Sequence, residues 1–296
     1  MTSKNLSKKN TKQTNVLILG SGYVGTELYT HSAKEHINYF LKSRKDLDYA
    51  NDATLYKFIL NNGITHVINC AGFTGRPNVD EGEQKKKLCW ELNVKLPLKI
   101  SNVCKTSGID YIHISSGCIY SGYEKEFTET DEPNFGLFDN SSYYSKTKHA
   151  FETLNEYGCT IRVRMPFGND LHERSYLTKI LKYDNLVNYK NSKTYIPDLC
   201  NFIEYIVENN ISTNSIGVIN FVNPEAQDTE FATKIMKAYG FKNKNWKFVD
   251  IEDINIIAPR SNCVLSIDKL RTMFPGFDIQ TEGSAMDMAL INTIII

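Results

Sequence analysis

Short apolar runs alternate with longer segments of helical length over the first 165 residues, and this alternation limits the fold of the chain most strongly. The apolar runs are residues 15–19, 37–41, 65–70, 111–115 and 159–164. Between them lie segments that we predict as helices, at 23–34, 53–60, 85–104 and 144–155. Repeated strand–helix–strand units favour an α/β fold with a Rossmann-like, doubly wound parallel sheet.

The C-terminal part of the chain has a different pattern. After residue 165 the segments shorten, and irregular stretches lie at 166–170, 188–194 and 255–262. We expect one domain over residues 15–165, and mainly a smaller substrate-binding lobe over 166–296 with some segments that return to the first domain. Residues 1–14 are polar and rich in lysine, which predicts a disordered basic tail.

Charge and hydropathy exclude several classes of function. The 34 lysine and arginine residues equal the 34 aspartate and glutamate residues in number, so the chain has no cationic excess for a nucleic acid or an anionic membrane. No apolar run has the length of a bilayer span, and the N-terminal segment lacks the apolar stretch of a secretory signal. The seven cysteines form no C-x-x-C pair and have no histidine at zinc spacing. We therefore predict a cytoplasmic protein with reduced thiols, no bound metal, and neither a nucleic-acid nor a membrane partner.

A glycine-rich turn follows the first predicted strand and opens the first predicted helix. It reads Gly20-Ser-Gly22-Tyr23-Val24-Gly25, in the setting that the G-x-G-x-x-G dinucleotide fingerprint requires. Gly20 permits the tight turn, Gly22 lets the backbone approach a pyrophosphate, and Gly25 lets helix and strand pack closely. The N–H groups at the start of the helix, near Tyr23 and Val24, would then face the phosphates.

The loop after the second predicted strand indicates which dinucleotide binds. Proteins specific for NAD place an acidic residue there for the ribose hydroxyls, whereas this chain reads Leu41-Lys-Ser43-Arg44-Lys45. A cationic loop with a hydroxyl suits a 2′-phosphate, so we predict NADP(H) as the cofactor and Ser43 and Arg44 as its contacts. Asp48 either contacts the adenine or starts the next turn.

Tyr144 and Lys148 are one helical turn apart, so both project from one face of the predicted helix. A lysine in this position can lower the pKa of the phenol, and the phenol can donate a proton to a carbonyl oxygen as hydride reaches the carbon. The same pair occurs on many ordinary amphipathic helices. Here, however, Ser116 ends the fourth predicted strand, at the edge where open α/β sheets bind ligands, and it can hydrogen-bond to the same carbonyl.

The order of these features is similar to that of the extended branch of the short-chain dehydrogenase/reductase superfamily. A narrower resemblance runs over about residues 15–275 and is carried by residues 71–80 (AGFTGRPNVD), 116–119 (SGCI), 143–148 (YYSKTK), 162–166 (RVRMP) and 258–262 (APRSN). These stretches resemble the bifunctional 3,5-epimerase/4-reductases of UDP-4-keto-6-deoxy-D-glucose, the UDP-L-rhamnose synthases, which are similar to dTDP-4-dehydrorhamnose reductases. The resemblance implies epimerisation at carbons 3 and 5, which the 4-keto group acidifies, and NADPH-dependent reduction at carbon 4.

The resemblance also implies roles for individual residues. Cys118 is the base that removes the two protons, Lys179 is the acid that returns them from the opposite face, and Ser116, Tyr144 and Lys148 stabilise the enolate and then serve reduction. By residue type alone, Cys118 would be a small core residue and Lys179 a solvated helix lysine. The implied substrate contacts, which could also be salt-bridge or structural residues, are Arg76, Asn93, Asn169 and Arg260. The implied lining of the cofactor path is Cys70, Ala71 and Gly72.

Several alternatives stay open at the level of the sequence. The chain could be a 4-dehydrorhamnose reductase without epimerase activity, which has no need for Cys118 and Lys179, or a non-catalytic NADP(H)-binding regulatory subunit of the same fold. The residues alone do not distinguish UDP from dTDP as the carrier, and UDP rests on the resemblance. Plant members of the family carry an N-terminal dehydratase domain that this chain lacks, so we expect functional coupling to a separate 4,6-dehydratase. Family habit predicts a homodimer.

Overall fold

The main sheet of the protein has six parallel strands. The computed structural model describes residues 13–31, 36–137 and 139–295. The strands are β1 (Thr14–Leu19), β2 (Ile37–Lys42), β3 (His66–Asn69), β4 (Asp110–Ser116), β5 (Cys159–Val163), β6 (Asn185–Leu186), β7 (Val218–Asn220) and β8 (Lys247–Phe248). The main sheet has the order β2-β1-β3-β4-β5-β7, and β6 pairs with β8 in a second, two-stranded sheet. The five apolar runs of the sequence are thus five of the six main strands, and β7 is one that the sequence pattern did not predict.

Helices separate the strands along the chain. They are α1 (Tyr23–His31), α2 (Asp52–Asn61), α3 (Asp80–Gln84), α4 (Lys86–Trp90), α5 (Leu96–Ser107), α6 (Tyr143–Leu154), α7 (Tyr176–Lys182), α8 (Ile196–Glu208), α9 (Thr213–Ile216), α10 (Thr229–Ala238), α11 (Asp268–Met273) and α12 (Glu282–Ile295). A π-helical turn covers Glu91–Lys95, and a short 3₁₀ turn covers Ile251–Asp253. None of the helices in the described ranges is long and apolar enough to cross a membrane.

Successive residues of β1 enter two different hydrophobic cores. Val16 and Ile18 pack in one core with residues of α8, and Leu17 and Leu19 pack in the other with residues of α2 and α5. All four side chains are fully buried. A parallel strand that is covered on both faces carries a continuous apolar run instead of an alternating one, which is why the strand pattern was readable. The predicted doubly wound parallel α/β fold is confirmed.

The predicted helix over residues 85–104 is instead three consecutive helical pieces. α4 passes into the π-helical turn, which passes into α5, and the N–H of Leu96 bonds to the carbonyl of Glu91 five residues back. Pro97 lies in the first turn of α5 and has no N–H to donate, so an uninterrupted α-helix would be broken here. The π turn accommodates this break, and such turns are frequent at functional sites.

A third core lies in the C-terminal part of the chain. It joins α7, α10 and α12 through side chains such as Leu177, Ala232 and Met286. By contrast, β7 and α8 belong to the main sheet and its core. This arrangement supports the predicted domain boundary at residue 165 and the return of later segments to the first domain. Both stay predictions.

Two predictions fall partly outside the described residues. Of the predicted tail over 1–14, residues 1–12 lie outside them, and Thr14 already belongs to β1. The first predicted helix, 23–34, is described as far as His31, and residues 32–35 lie outside.

Candidate active site

The carboxyl ends of β1 and β3 form a crevice at the edge of the main sheet. The chain crosses from β1 to β2 on one side and later returns to β3 on the other side, which is the topological switch point where open α/β sheets bind ligands. A cavity of about 240 Å³, here called the switch-point cavity, lies there. Its lining includes the predicted cofactor residues Gly20, Gly22, Ser43, Arg44, Cys70, Ala71 and Gly72.

The three glycines of the turn have different surroundings, and each fits its predicted role. Gly20 has a φ of 99°, and a Cβ there would lie 2.7 Å from the backbone N of Ala71. A Cβ at Gly25 would lie 2.0 Å from the carbonyl oxygen of Gly20, so only glycine lets helix and strand pack this closely. At Gly22 a Cβ would meet no atom of the described residues within 4 Å. Gly22 also lines the switch-point cavity, so its backbone is open to a ligand there, as the dinucleotide fingerprint requires.

Tyr23 and Val24 contribute side chains that are engaged within the protein. The hydroxyl of Tyr23 donates to Asp170 at 3.0 Å, and its ring stacks on His172 with 4.3 Å between centroids. Val24 packs against the main core. A cofactor contact from either residue would therefore come from the backbone at the start of α1.

The loop after β2 contains an acidic residue whose role the sequence reading missed. The hydroxyl and the N–H of Ser43 both donate to Asp46, at 2.6 and 2.9 Å. These bonds lower the pKa of Asp46 and occupy Ser43, so a 2′-phosphate contact from Ser43 requires that the hydroxyl leave Asp46. Arg44 is exposed and lines the switch-point cavity, whereas Asp48 is exposed and does not line it.

Asn93 holds the segment after β3 in place. It lies in the π-helical turn, is fully buried, and exchanges hydrogen bonds with the backbone of Phe73 at 2.7 and 2.9 Å. Its amide also donates to Thr147 of α6 at 3.1 Å. A Cβ at Gly72 would lie 3.3 Å from the Asn93 oxygen and 3.7 Å from Nζ of Lys148. The predicted substrate contact of Asn93 stays a prediction, since its described bonds position the cavity wall.

Tyr144 and Ser116 lie together at the carboxyl end of β4. The side chain of Ser142 caps the N-terminus of α6 by accepting a hydrogen bond from the N–H of Ser145 at 3.1 Å. Tyr144, in the first turn of this helix, is hydrogen-bonded to Ser116. Burial, and next the neighbouring Cys118, raise the pKa of Tyr144, while the bond to Ser116 opposes the rise. The sequence predicts that Lys148 lowers the pKa of Tyr144. Burial outweighs any such effect in the folded protein. The phenol is therefore protonated at neutral pH and can donate its proton.

Lys148 is on the same face of α6 as Tyr144, with Nζ 5.9 Å from the phenol ring centroid. Burial lowers the pKa of Lys148 to about 8, against the favourable charge of Glu152 one turn further on. Glu152 is itself held by Arg162 at 2.8 Å and by the hydroxyl of Ser115 at 2.7 Å. This anchoring fixes the face of α6 that presents Tyr144 and Lys148.

Cys118 is half-buried beside these groups. Its N–H donates to Oγ of Ser116 at 3.2 Å, and a guanidinium nitrogen of Arg164 donates to its Sγ at 3.7 Å. Arg164 follows β5 and is only 1% exposed. Arg164 belongs to the 162–166 stretch that carries the family resemblance, but no local pattern in the sequence indicates that it reaches a residue 46 positions earlier.

Lys179 lies on α7 beside a second cavity. This cavity, here called the cationic cavity, measures about 420 Å³ and is lined by Arg76, Pro77, Glu173, Arg174, Thr178, Lys179, Lys182 and Tyr183. Burial, and next the charge of Arg174, lower the pKa of Lys179, which also interacts electrostatically with Cys118. Arg76 is largely exposed, 3.6 Å from Glu173. Arg174, which the sequence reading missed, is held by the carbonyl of Gly75 at 2.7 Å.

The other two predicted substrate residues differ in their placement. Arg260 forms an ion pair with Asp80 at 2.8 Å and lies within electrostatic reach of Lys179. Asn169 accepts a hydrogen bond from Tyr195, and its carbonyl accepts from Thr293 of α12 at 3.1 Å. Asn169 lines neither of the two cavities, so its predicted role has no support from the geometry.

No group of three or more histidine, cysteine, aspartate or glutamate side chains that could hold a metal ion occurs within the described ranges. The described chemistry of the site is that of the phenol, hydroxyl, thiol, ammonium and guanidinium groups around Ser116. These groups can exchange protons with a ligand and stabilise a negative charge on its oxygen.

Comparison with known proteins agrees with this geometry. The RmlD substrate-binding domain family matches residues 14–281. A bifunctional dTDP-4-dehydrorhamnose 3,5-epimerase/dTDP-4-dehydrorhamnose reductase of Arabidopsis thaliana is 36% identical over 224 residues, which cover 71% of this chain and 72% of that protein. The match to a longer Arabidopsis thaliana protein, a trifunctional UDP-glucose 4,6-dehydratase/UDP-4-keto-6-deoxy-D-glucose 3,5-epimerase/UDP-4-keto-L-rhamnose-reductase, is also 36% identical but spans only 32% of its length.

Solved structures share the fold. The crystal structure of a UDP-rhamnose synthase from Acanthamoeba polyphaga mimivirus superposes with a TM-score of 0.83 at 22% identity, over 95% of this chain and all of that one (100%). A dTDP-4-dehydrorhamnose reductase from Bacillus anthracis, in complex with NADP, has a TM-score of 0.79 at 18% identity, over 95% of this chain and 100% of its own. The predicted NADP(H) cofactor agrees with that complex. The predictions of the superfamily and of an enzyme are confirmed, and the chain belongs to the RmlD substrate-binding domain family, within the extended short-chain dehydrogenase/reductases.

Proposed function

We propose that this enzyme converts UDP-4-keto-6-deoxy-D-glucose to UDP-L-rhamnose by 3,5-epimerisation and NADPH-dependent reduction of the C4 ketone. The observation that carries the proposal is the second acid/base pair beside the reductase residues. Cys118 adjoins Ser116 and Tyr144, and Lys179 interacts electrostatically with Cys118 from α7. A reductase alone has no use for this pair.

The switch-point cavity is the proposed cofactor site. The open face of Gly22 and the N-terminus of α1 would hold the pyrophosphate, Arg44 the 2′-phosphate, and Lys148 the nicotinamide ribose. NADPH, when bound, supplies the hydride that reduces C4. Tyr144, protonated at neutral pH, donates its proton to the ketone oxygen, and Ser116 donates a hydrogen bond to the same oxygen.

Epimerisation precedes reduction and uses the same oxygen. The Cys118 thiolate takes a proton from C3 or C5, so that a C–H bond breaks, an S–H bond forms, and the electron pair moves into an enolate whose oxygen Ser116 and Tyr144 stabilise. Lys179 then gives a proton to the opposite face of the carbon, breaking an N–H bond and forming a C–H bond. The lowered pKa of Lys179 makes its ammonium a stronger acid for this step. Transfer of the thiol proton back to the amine, through solvent, resets the pair.

The cationic cavity is the proposed site of the nucleotide diphosphate. Arg76, Arg174, Lys179 and Lys182 contribute four cations against the one carboxylate of Glu173. Guanidinium groups bind phosphate oxygens in a bidentate way.

The UDP carrier is part of the proposal, and the 4-keto sugar would come from a nucleotide-sugar 4,6-dehydratase. A homodimer also belongs to the proposal, and light scattering in solution tests it.

The test is to mix the purified protein with UDP-4-keto-6-deoxyglucose and NADPH, follow absorbance of the reduced cofactor, and identify the product by NMR. The proposal predicts UDP-L-rhamnose and one NADPH consumed for each molecule formed. Consumption that begins only after a 3,5-epimerase is added would assign a plain reductase. NADPH binding without turnover on any keto sugar would assign a non-catalytic subunit, and the dTDP-linked ketone run in parallel decides the carrier.

A further inference from the structure

Arg164 is a buried cation without a carboxylate partner among the residues that the structure describes. Its guanidinium donates to the carbonyls of Gly117 and Ser261, to the hydroxyl of Ser261, to the side-chain oxygen of Asn191, and to Sγ of Cys118. Its Nε is buried and has no hydrogen-bond partner in the part of the chain that the structure describes. Burial of an unpaired charge is costly unless an opposite charge compensates it.

The neighbouring buried arginine is arranged differently. Arg162 lies two residues earlier and forms an ion pair with Glu152 at 2.8 Å, which is the usual arrangement for a buried guanidinium. Within the described ranges, the groups that accept from Arg164 are neutral oxygens and one sulfur. Of these partners, the thiol is the group that can become an anion near neutral pH.

Two cysteines are close enough to Arg164 to compensate its charge. Cys263 is fully buried, and burial raises the pKa of its thiol although Arg164 opposes the rise. Cys118 is half-buried, directly hydrogen-bonded by Arg164, and adjacent to the reacting groups. The other titratable groups that face Cys118 are Tyr144 and Lys148 on α6 and Lys179 on α7. Among the described side chains that accept a hydrogen bond from Arg164, Cys118 is therefore the one that carries an ionisable acid.

We infer that Arg164 is the positioning residue that holds Cys118 as a thiolate, so that the resting site contains a Cys118–Arg164 ion pair. This inference rests on the proposed role of Cys118 as the epimerase base and adds the group that prepares it. The guanidinium contacts the sulfur, and it also donates to the backbone carbonyls of Gly117 and Ser261. When the thiolate takes a proton from the sugar, the negative charge moves to the enolate, and Arg164 remains beside a neutral thiol.

The test is alkylation of Cys118 by iodoacetamide, followed by peptide mass spectrometry from about pH 5 to about pH 9, on the full-length protein saturated with NADP⁺ and without sugar. We expect Cys118 in the native protein to react at lower pH than Cys118 in the urea-unfolded chain. Arg164→Met should move the pH profile upward and slow the reaction at neutral pH roughly tenfold, since an adjacent opposite charge changes ionisation by at least this factor. The pH profile of Arg164→Lys, which keeps the positive charge, should lie between the profiles of the wild type and Arg164→Met.

The plateau of the profile at high pH separates electrostatics from accessibility. A merely structural role of Arg164 would change the plateau and leave the midpoint in place, which would overturn the inference. If Arg164→Met does not fold, native and urea-unfolded wild-type profiles that coincide would overturn it equally. Since no sugar is present, this result is independent of the proposed function, which fails separately if Cys118→Ala still exchanges sugar protons with solvent.

Discussion

Arg260 donates a hydrogen bond to Asp80 at 2.8 Å across 180 residues of chain. The same carboxylate oxygen accepts the N–H of Ala258 at 2.9 Å. Partial burial raises the pKa of Asp80, but the bonds from Arg260 and Ala258 outweigh it and hold the pKa below its ordinary value. Asp80 thus joins two of the sequence stretches that carry the family resemblance, 71–80 and 258–262, and it fixes Arg260 within electrostatic reach of Lys179.

Asp80→Asn should raise the KM for the sugar nucleotide several-fold, because Arg260 loses the charge that fixes it, and leave the dissociation constant of NADPH unchanged. The expected loss of folding stability is about 1 kcal/mol, since the pair is only partly buried. Steady-state kinetics and a cofactor fluorescence titration measure the two constants. An equal change in both would mean that the pair acts on the whole fold.

Two glycines of the dinucleotide turn provide a matched pair of variants. In Gly25→Ala the new Cβ meets the carbonyl of Gly20, so the free energy of unfolding should fall by at least about 1–3 kcal/mol. In Gly22→Ala the methyl meets open space, so stability should be unchanged or rise by up to about 1 kcal/mol, while NADPH binding weakens. Chemical unfolding and a cofactor titration test both. Unchanged NADPH affinity in Gly22→Ala would contradict the proposed pyrophosphate site.

Arg44→Ala should weaken NADPH binding about tenfold, the usual effect of losing one charge-assisted hydrogen bond, and leave NADH binding unaffected. Lys45→Ala is the matched control, because Lys45 is exposed and does not line the switch-point cavity. Parallel titrations with the two cofactors decide the matter. Equal losses for NADPH and NADH would show that Arg44 does not contact the 2′-phosphate.

Reduction should slow as the pH rises through about 8, because Lys148 then loses the positive charge that holds the ribose. The folded pKa lies below the value of about 10.4 for an unfolded lysine. Between these two values the unfolded chain binds more protons, so this group makes folding stability increase with pH across that window. The rate of reduction of a pre-epimerised ketone measures the first effect. Lys148→Arg, which stays charged, should remove the decline of the rate at alkaline pH. If the decline persists in this variant, another group causes it.

The parts of the site that depend on local spacing were predictable from the sequence. One helical turn separates Tyr144 from Lys148, and a strand end fixes Ser116, so their meeting follows from the α/β pattern. The contact of Arg164 with Cys118 and the bond between Ser43 and Asp46 depend on side-chain directions that no periodicity encodes. β7 was missed because three residues between α9 and α10 carry too little pattern. The π-helical turn has a local cause, Pro97, whereas the bonds of its residue Asn93 to Phe73 and Thr147 follow from no local pattern.

Solvent deuterium tests most directly whether one site performs both epimerisation and reduction. In deuterated water the wild-type enzyme should place deuterium at C3 and C5 of UDP-L-rhamnose, as read by NMR. Cys118→Ala should lower this exchange at least about a hundredfold, the usual contribution of a general base, while it keeps most of its ability to reduce a pre-epimerised ketone. Undiminished exchange in Cys118→Ala, or a wild-type product that carries no deuterium at either carbon, would contradict the account.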